Sequence, residues 1–486
     1  MIATLLGGLR IAAAAASVGS APFIYAHHSI SNATPALQAA FDRGLTLYYA
    51  YNGGQGVRVF QAATESNPMF AMGYWGMALC YGPDINTDLS EEHFRRAHTA
   101  IEKAVTLEAS VDSKERAYIE ALRLRYAGAW RDHEKAEGSY RAAMANAVAR
   151  YPDDDDLATL YAEALLEHTG QNPWKTHTNT PTSGETLTMR ALLDRVIARN
   201  PTHIMANHLQ IHLFENAQDH SRSIVAAKRF DAMRFAPEDE HLEHMPAHAW
   251  IDIGNYALAV ASSSRAVALF DQYLAEPGID RTHHGYLGHD IEVGWGAALM
   301  LGNYALAKSF AGRLGSLHDT KRYLEVTALR FGRRDDLDAT FTHYAAILAG
   351  DSAAARSSAP LDGDEKDPMA WAIAGRAQLL KANRTGADTD FRKAQALEDD
   401  QFGGEELPRL PVGEIEGFGY YRNGDLARAD AAFRATLKRY PNDPRALYGL
   451  SQTLQKQNRG AEAQRVAADF RKAWQGADTT LSITAL

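Results

Sequence analysis

Histidine is the residue type whose number and spacing could do chemistry in this chain. There are 19, and the stretch from His203 to His289 carries His203, His208, His212, His220, His241, His244, His248, His283, His284 and His289. Three short segments hold most of them. HIMANHLQIH (203–212) sets His208 and His212 four apart, with Glu215 following. HLEHMPAH (241–248) repeats that spacing with His244 and His248, and HHGYLGHD (283–290) ends on His289 and Asp290. Residues four apart on a helix share one face, so each pair makes a two-imidazole clamp. Imidazole is a good ligand for zinc, copper and iron. The spacing therefore predicts a metal site with His208, His212, His244, His248 and His289 as ligands. Glu215 and Asp290 would orient imidazoles from behind.

Other readings of the same residues stay open. Without a metal, the histidines could form a polar pocket that works by general acid–base chemistry on a small molecule. They could also be architectural, with His220, His241 and His283 simply solvated. Neither pair has glutamate directly after its first histidine, so the helical metalloprotease arrangement is absent. No nucleotide-binding loop or cofactor motif accompanies the cluster. The lone cysteine, Cys80, excludes an internal disulfide and any multi-cysteine metal cluster, and it reads as a small buried hydrophobe. The run Asp153–Asp156 follows Pro152 and reads as the cap of the next helix.

The elements that must position these side chains read as helices. The chain is alanine-rich with helical periodicity, which predicts an all-α fold. Gly417, Tyr420, Gly424, Ala429, Phe433 and Pro441 follow the spacing of a 34-residue helix–turn–helix repeat. Gly44, Phe60, Ala63 and Pro68 keep the same register. The hexapeptide GNYALA occurs at 254–259 and again at 302–307, farther apart than one repeat. The excess is expected in a loop inserted within 271–290, where loops of repeat proteins often carry function. The fold expected is thus a tetratricopeptide-like α-solenoid. Residues 27–351 would hold the histidine-rich repeats, 352–367 a linker, and 368–486 the C-terminal repeats.

The 486 residues carry a formal charge of −10, which argues against nucleic acid as partner. Residues 1–26 place Arg10 before an apolar, alanine-rich run and read as an export signal. The expected location is the periplasm of a bacterium, the alternative being the cytoplasm. No later stretch is long and apolar enough for a membrane span. Expected partners are a small molecule or, if the array is an interaction scaffold, a protein or peptide in its concave groove.

Several stretches resemble one protein family. MGYWGMA (72–78) with YGPDIN (81–86) is similar to the AYWG-A…GPNIN stretch of a family of tetratricopeptide-repeat proteins, mostly bacterial and often exported. HMPAH (244–248) resembles its HMPAH/HMPSH core, and residues 201–212 resemble its HPGAxHYxIH stretch. The chain departs from it in reading THIMANH there, and HHSIS near the start where that family has HF. The resemblance covers roughly residues 27 to 310. It implies a repeat fold and marks His208, His212, His244 and His248, with His28 and His289 less closely matched; it implies no particular reaction.

Overall fold

The computed structural model describes residues 22–481, apart from 171, 177, 278, 280–285, 319, 335–336, 358–365, 402–406 and 408–409. Most of the expected export signal, and His283 and His284, therefore lie outside the described residues. Among the described residues the regular elements are helices, and the only β-type pairings are isolated bridges such as Trp174 with Pro181. Short polar side chains start many of the helices. Thr34 Oγ1, for instance, accepts from Leu37 N at 3.3 Å at the start of Pro35–Tyr49. Asp154 Oδ1 accepts from Leu157 N at 2.9 Å at the start of Asp155–Thr169. Such caps satisfy amide groups that have no partner inside the helix.

Successive helices pack as antiparallel hairpins, and one glycine–phenylalanine rule recurs along them. Phe433, on Leu426–Arg439, lies between the preceding and following helices: a Cβ would stand 2.5 Å from it on Gly417 and 2.2 Å on Gly449. Phe60 does the same between Gly44 and Gly76, at 2.5 and 2.4 Å. Each ring is wholly buried and needs hydrogen where other residues carry a methyl. The array is thus a tetratricopeptide-like solenoid, as the repeat register predicts.

Two apolar cores run through it. One extends from Ile30 to Met245 and the other from Ala227 to Ala463. They meet at the short helices Glu240–His244 and Pro246–Asp252, so HMPAH straddles the seam. Pro246 opens the second of these helices, where its missing N–H costs nothing.

The GNYALA copies are docking turns. Gly254 (φ 68°) and Gly302 (φ 76°) adopt left-handed conformations. The last repeats return to both of them. Pro441 carbonyl oxygen would sit 1.8 Å from a Cβ on Gly254, and the Trp474 ring 2.1 Å from one on Gly302. Tyr256 donates its hydroxyl to Pro441 O at 3.0 Å, and Asp478 accepts from Tyr304 N and Ala305 N at 2.7 and 2.9 Å. The extra length between the copies is not all loop, since the helix Tyr256–Ala275 reaches well into it. Within the expected linker, Ser352–Arg356 is a short helix capped by Asp351.

Candidate metal centre

The helix Ile204–Phe214 carries His208 and His212 inward, and both are buried. Their ring nitrogens meet, Nε2 to Nε2, at 3.2 Å. On the outer side His208 Nδ1 donates to the Tyr49 carbonyl at 2.8 Å, and His212 Nδ1 donates to Glu215 Oε1 at 2.9 Å. The second clamp mirrors the first across the Pro246 boundary. His244 Nε2 and His248 Nε2 are 3.0 Å apart, and His289 Nε2, on Leu287–Leu301, lies 3.3 Å from that of His248.

The nitrogens fall into two sets of three. His208, His212 and His241 offer one nitrogen each within 4.8 Å of one another, and so do His244, His248 and His289. The five histidines expected as ligands are therefore divided two and three, and the first set is completed by His241. That residue was expected to be solvated if the histidines were architectural; it is only 1% exposed. It faces inward because Glu240–His244 is a single buried turn lying between both clamps. Its spacing of three from His244 was the available signal. His220, by contrast, stands apart and half-buried, 3.3 Å from the Asp252 carboxylate.

Glu215 and Asp290 stand behind the imidazoles, each touching both sets. Glu215 Oε1 is 3.5 Å from His248 Nδ1 as well as bonded to His212. Asp290 Oδ1 is 3.4 Å from His241 Nδ1 and 3.8 Å from His244 Nδ1. Burial drives His208 and His244 well below the ordinary histidine pKa, and neighbouring imidazoles reinforce it. Burial raises Asp290 to about 7, with His289 opposing.

Two tyrosines cover the first set. Tyr51 lies 4.4 Å from the His208 ring and Tyr286 4.3 Å from that of His241, centroid to centroid. Tyr51 has φ 54°, at the helix-ending turn where Asn52 N bonds Leu47 O at 2.8 Å. Glycine is the usual occupant of such a position, and a tyrosine there carries backbone strain. Sequence alone gives no sign of this role.

A third cluster lies apart from the centre. His28 Nδ1 is 2.6 Å from Asp156 Oδ2, and Asp156 Oδ1 accepts from Tyr49 at 2.5 Å and from His203 Nε2 at 3.2 Å. Asp154 accepts from Tyr118 at 2.7 Å and pairs with Lys114 at 2.9 Å. These carboxylates are already matched by donors and cations. The acidic run thus caps a helix through Asp154, as expected, and also anchors the N-terminal segment through Asp156. Cys80 is buried against Gly56, and burial raises its thiol pKa.

No family model matches the sequence, and no curated protein matches it. Among solved structures, the P58(IPK) tetratricopeptide domain is 13% identical, with a TM-score of 0.23 over 90% of this chain and 99% of that one. Yeast Tom70 is 13% identical, with a TM-score of 0.26 over 91% and 92%. The fold assignment rests on the hairpin packing described above. No helix among the described residues is long and apolar enough to cross a membrane.

Proposed function

We propose that the protein binds a transition metal, of the zinc, copper or iron group, through buried imidazoles on a helical-repeat scaffold. The observation that carries this is the His208–His212 contact. A carbonyl oxygen can only accept, so His208 Nδ1 holds the proton and its Nε2 holds a lone pair. His212 is turned the same way by Glu215. Two nitrogen lone pairs directed at each other across 3.2 Å repel unless a cation lies between them. A proton could also do this, though burial and neighbouring imidazoles disfavour a charged His208; a metal ion fits the donor type and the oriented tautomers. Such an ion could serve a metalloenzyme acting on a small molecule. Export, read from residues 1–26, accompanies this proposal.

Metal analysis of the untagged full chain tests it. Stoichiometric metal, retained through desalting or taken up on titration, is expected. Protein that holds none under either condition overturns the reading.

The fold itself favours a second reading, an interaction scaffold for a protein or peptide. A cavity of about 390 Å³ lined by Thr176, Thr178, Glu398, Glu416 and Arg439 offers polar contacts between an N-terminal loop and the C-terminal repeats. A partner captured equally well by a chain stripped of metal and of His208, His212, His244 and His248 would favour it.

A further inference from the structure

We propose that the C-terminal repeats hold a further site, apart from the histidines. It is a cavity that takes a small organic carboxylate, with the charge against Arg376 and Arg445 and the apolar body against the wall. The cavity, of about 160 Å³, lies among the helices Arg322–Arg330, Ala339–Leu348, Pro368–Leu380, Val412–Arg422 and Pro444–Lys456. Leu329, Leu348, Ile415 and Phe418 supply apolar wall. A cavity of about 150 Å³ holds a benzene-sized molecule, so the occupant is small.

The polar lining is rich in arginine. Arg330, Arg376 and Arg445 are buried, and Arg334 stands exposed at the edge. Arg330 is matched, because its Nη1 and Nη2 donate to the two oxygens of Glu414 at 3.1 and 2.9 Å. The other two buried guanidinium groups are not. Among the described residues no carboxylate pairs with Arg376, whose Nη1 donates to the Gly419 carbonyl at 3.1 Å. None pairs with Arg445 either. Its Nη2 donates to the Arg330 carbonyl, and its Nε is buried without a hydrogen-bond partner. Arg422 adds a further cation close by: a Cβ on Gly350 would stand 3.4 Å from Arg422 Nη1 and 3.8 Å from Arg376 Nη2.

The acids nearby do not offset these charges. Glu414 is committed to Arg330, and Asp443 Oδ1 caps the helix Pro444–Lys456 through Arg445 N and Ala446 N at 2.9 and 3.1 Å. Burial and Glu414 raise Asp443 well above the ordinary carboxyl pKa, with Arg330 opposing. Burial, with Arg422 beside it, lowers Arg376 to about 10, and burial with Arg330 does the same to Arg445. Both stay charged at neutral pH, and a buried charge without a partner is costly. A carboxylate matches the arginine fork. Inorganic phosphate would match the fork too, but it is polar all round and would leave the apolar wall unused.

Calorimetric titration of the chelator-treated full chain tests this with benzoate, benzyl alcohol and inorganic phosphate; removing metal first keeps the histidines from contributing. Benzoate is expected to bind at one per chain, at least tenfold more tightly than either of the others. Arg376→Gln should weaken benzoate at least tenfold, while its ligand-free Tm is kept or raised because an unpartnered charge has gone. No benzoate binding, or benzyl alcohol or phosphate binding equally well, overturns the site in the unaltered chain whatever the variant does. Benzoate binding undiminished in folded Arg376→Gln overturns it as well. None of these outcomes bears on the metal-binding reading.

Discussion

The Glu215 carboxylate accepts a hydrogen bond from the Nδ1–H of His212 at 2.9 Å and so turns the Nε2 lone pair toward His208. The proposed metal centre would depend on that orientation as much as on its ligands. Replacing Glu215 by glutamine keeps the volume but presents an uncharged amide. We expect metal affinity to fall about 10- to 100-fold, measured by competition with a chelator. Unchanged affinity would show that Glu215 does not orient the ring.

His248→Ala should release metal while leaving the far-ultraviolet helical signal nearly intact, because Pro246–Asp252 is held by Trp250, Ala247 and Ala249 in the second core. Loss of helix in proportion to loss of metal would mean that His248 is architectural.

A ligand that binds only the folded chain stabilises it by mass action, about 2.7 kcal/mol at a free concentration 100 times Kd. Loading with metal should therefore raise Tm by several degrees, and a chelator should reverse the rise. A Tm indifferent to both, in protein shown by analysis to hold the ion, would remove the link between centre and fold.

The repeat architecture and the clamps are legible in the sequence, because glycine and phenylalanine spacing and HxxxH spacing are local properties of one helix. His241 was not legible as a member of the cluster: its direction depends on a five-residue helix ending just before Pro246, at a seam between two cores. The grouping of the imidazoles by threes was equally hidden, since His289, on a later helix, lies 41 residues beyond His248. Tyr51 was hidden for another reason. Its left-handed backbone occurs where glycine would be expected, and its ring packs on His208, His212 and His241.

The N-terminal segment should be pH-sensitive through His28. Burial disfavours its charged form, but Asp156 more than compensates and raises its pKa above 6.5. A raised histidine pKa stabilises the fold fully below about 6.5 and loses that effect as pH rises through the folded value. Burial also works against the charged form of Asp156, yet His203 and His28 hold its pKa far below 3.8, so its contribution is lost as pH falls. Residues 22–34 should accordingly resist proteolysis best between about pH 4 and 6.5. Asp156→Asn should flatten that profile, and an unchanged profile would sink the assignment.

Gly449→Ala places a methyl 2.2 Å from Phe433, a ring with no exposed surface to move into. Overpacking of this kind costs about 1–3 kcal/mol, more than the roughly 1 kcal/mol alanine gains over glycine in a helix. The urea midpoint should fall, and a midpoint equal to or above the parent would show that the ring can yield.

The two docking turns make the histidine sets mechanically unequal. Helices Pro246–Asp252 and Leu287–Leu301, which bear His248 and His289, run out into Gly254 and Gly302, and those turns are braced by Pro441 and Trp474. His208 and His212 lie on a helix of the N-terminal core. A load applied to the final repeats, by a partner or by truncation, would reach the set of His244, His248 and His289 directly through these struts, and the other set only by way of Glu215 and Asp290.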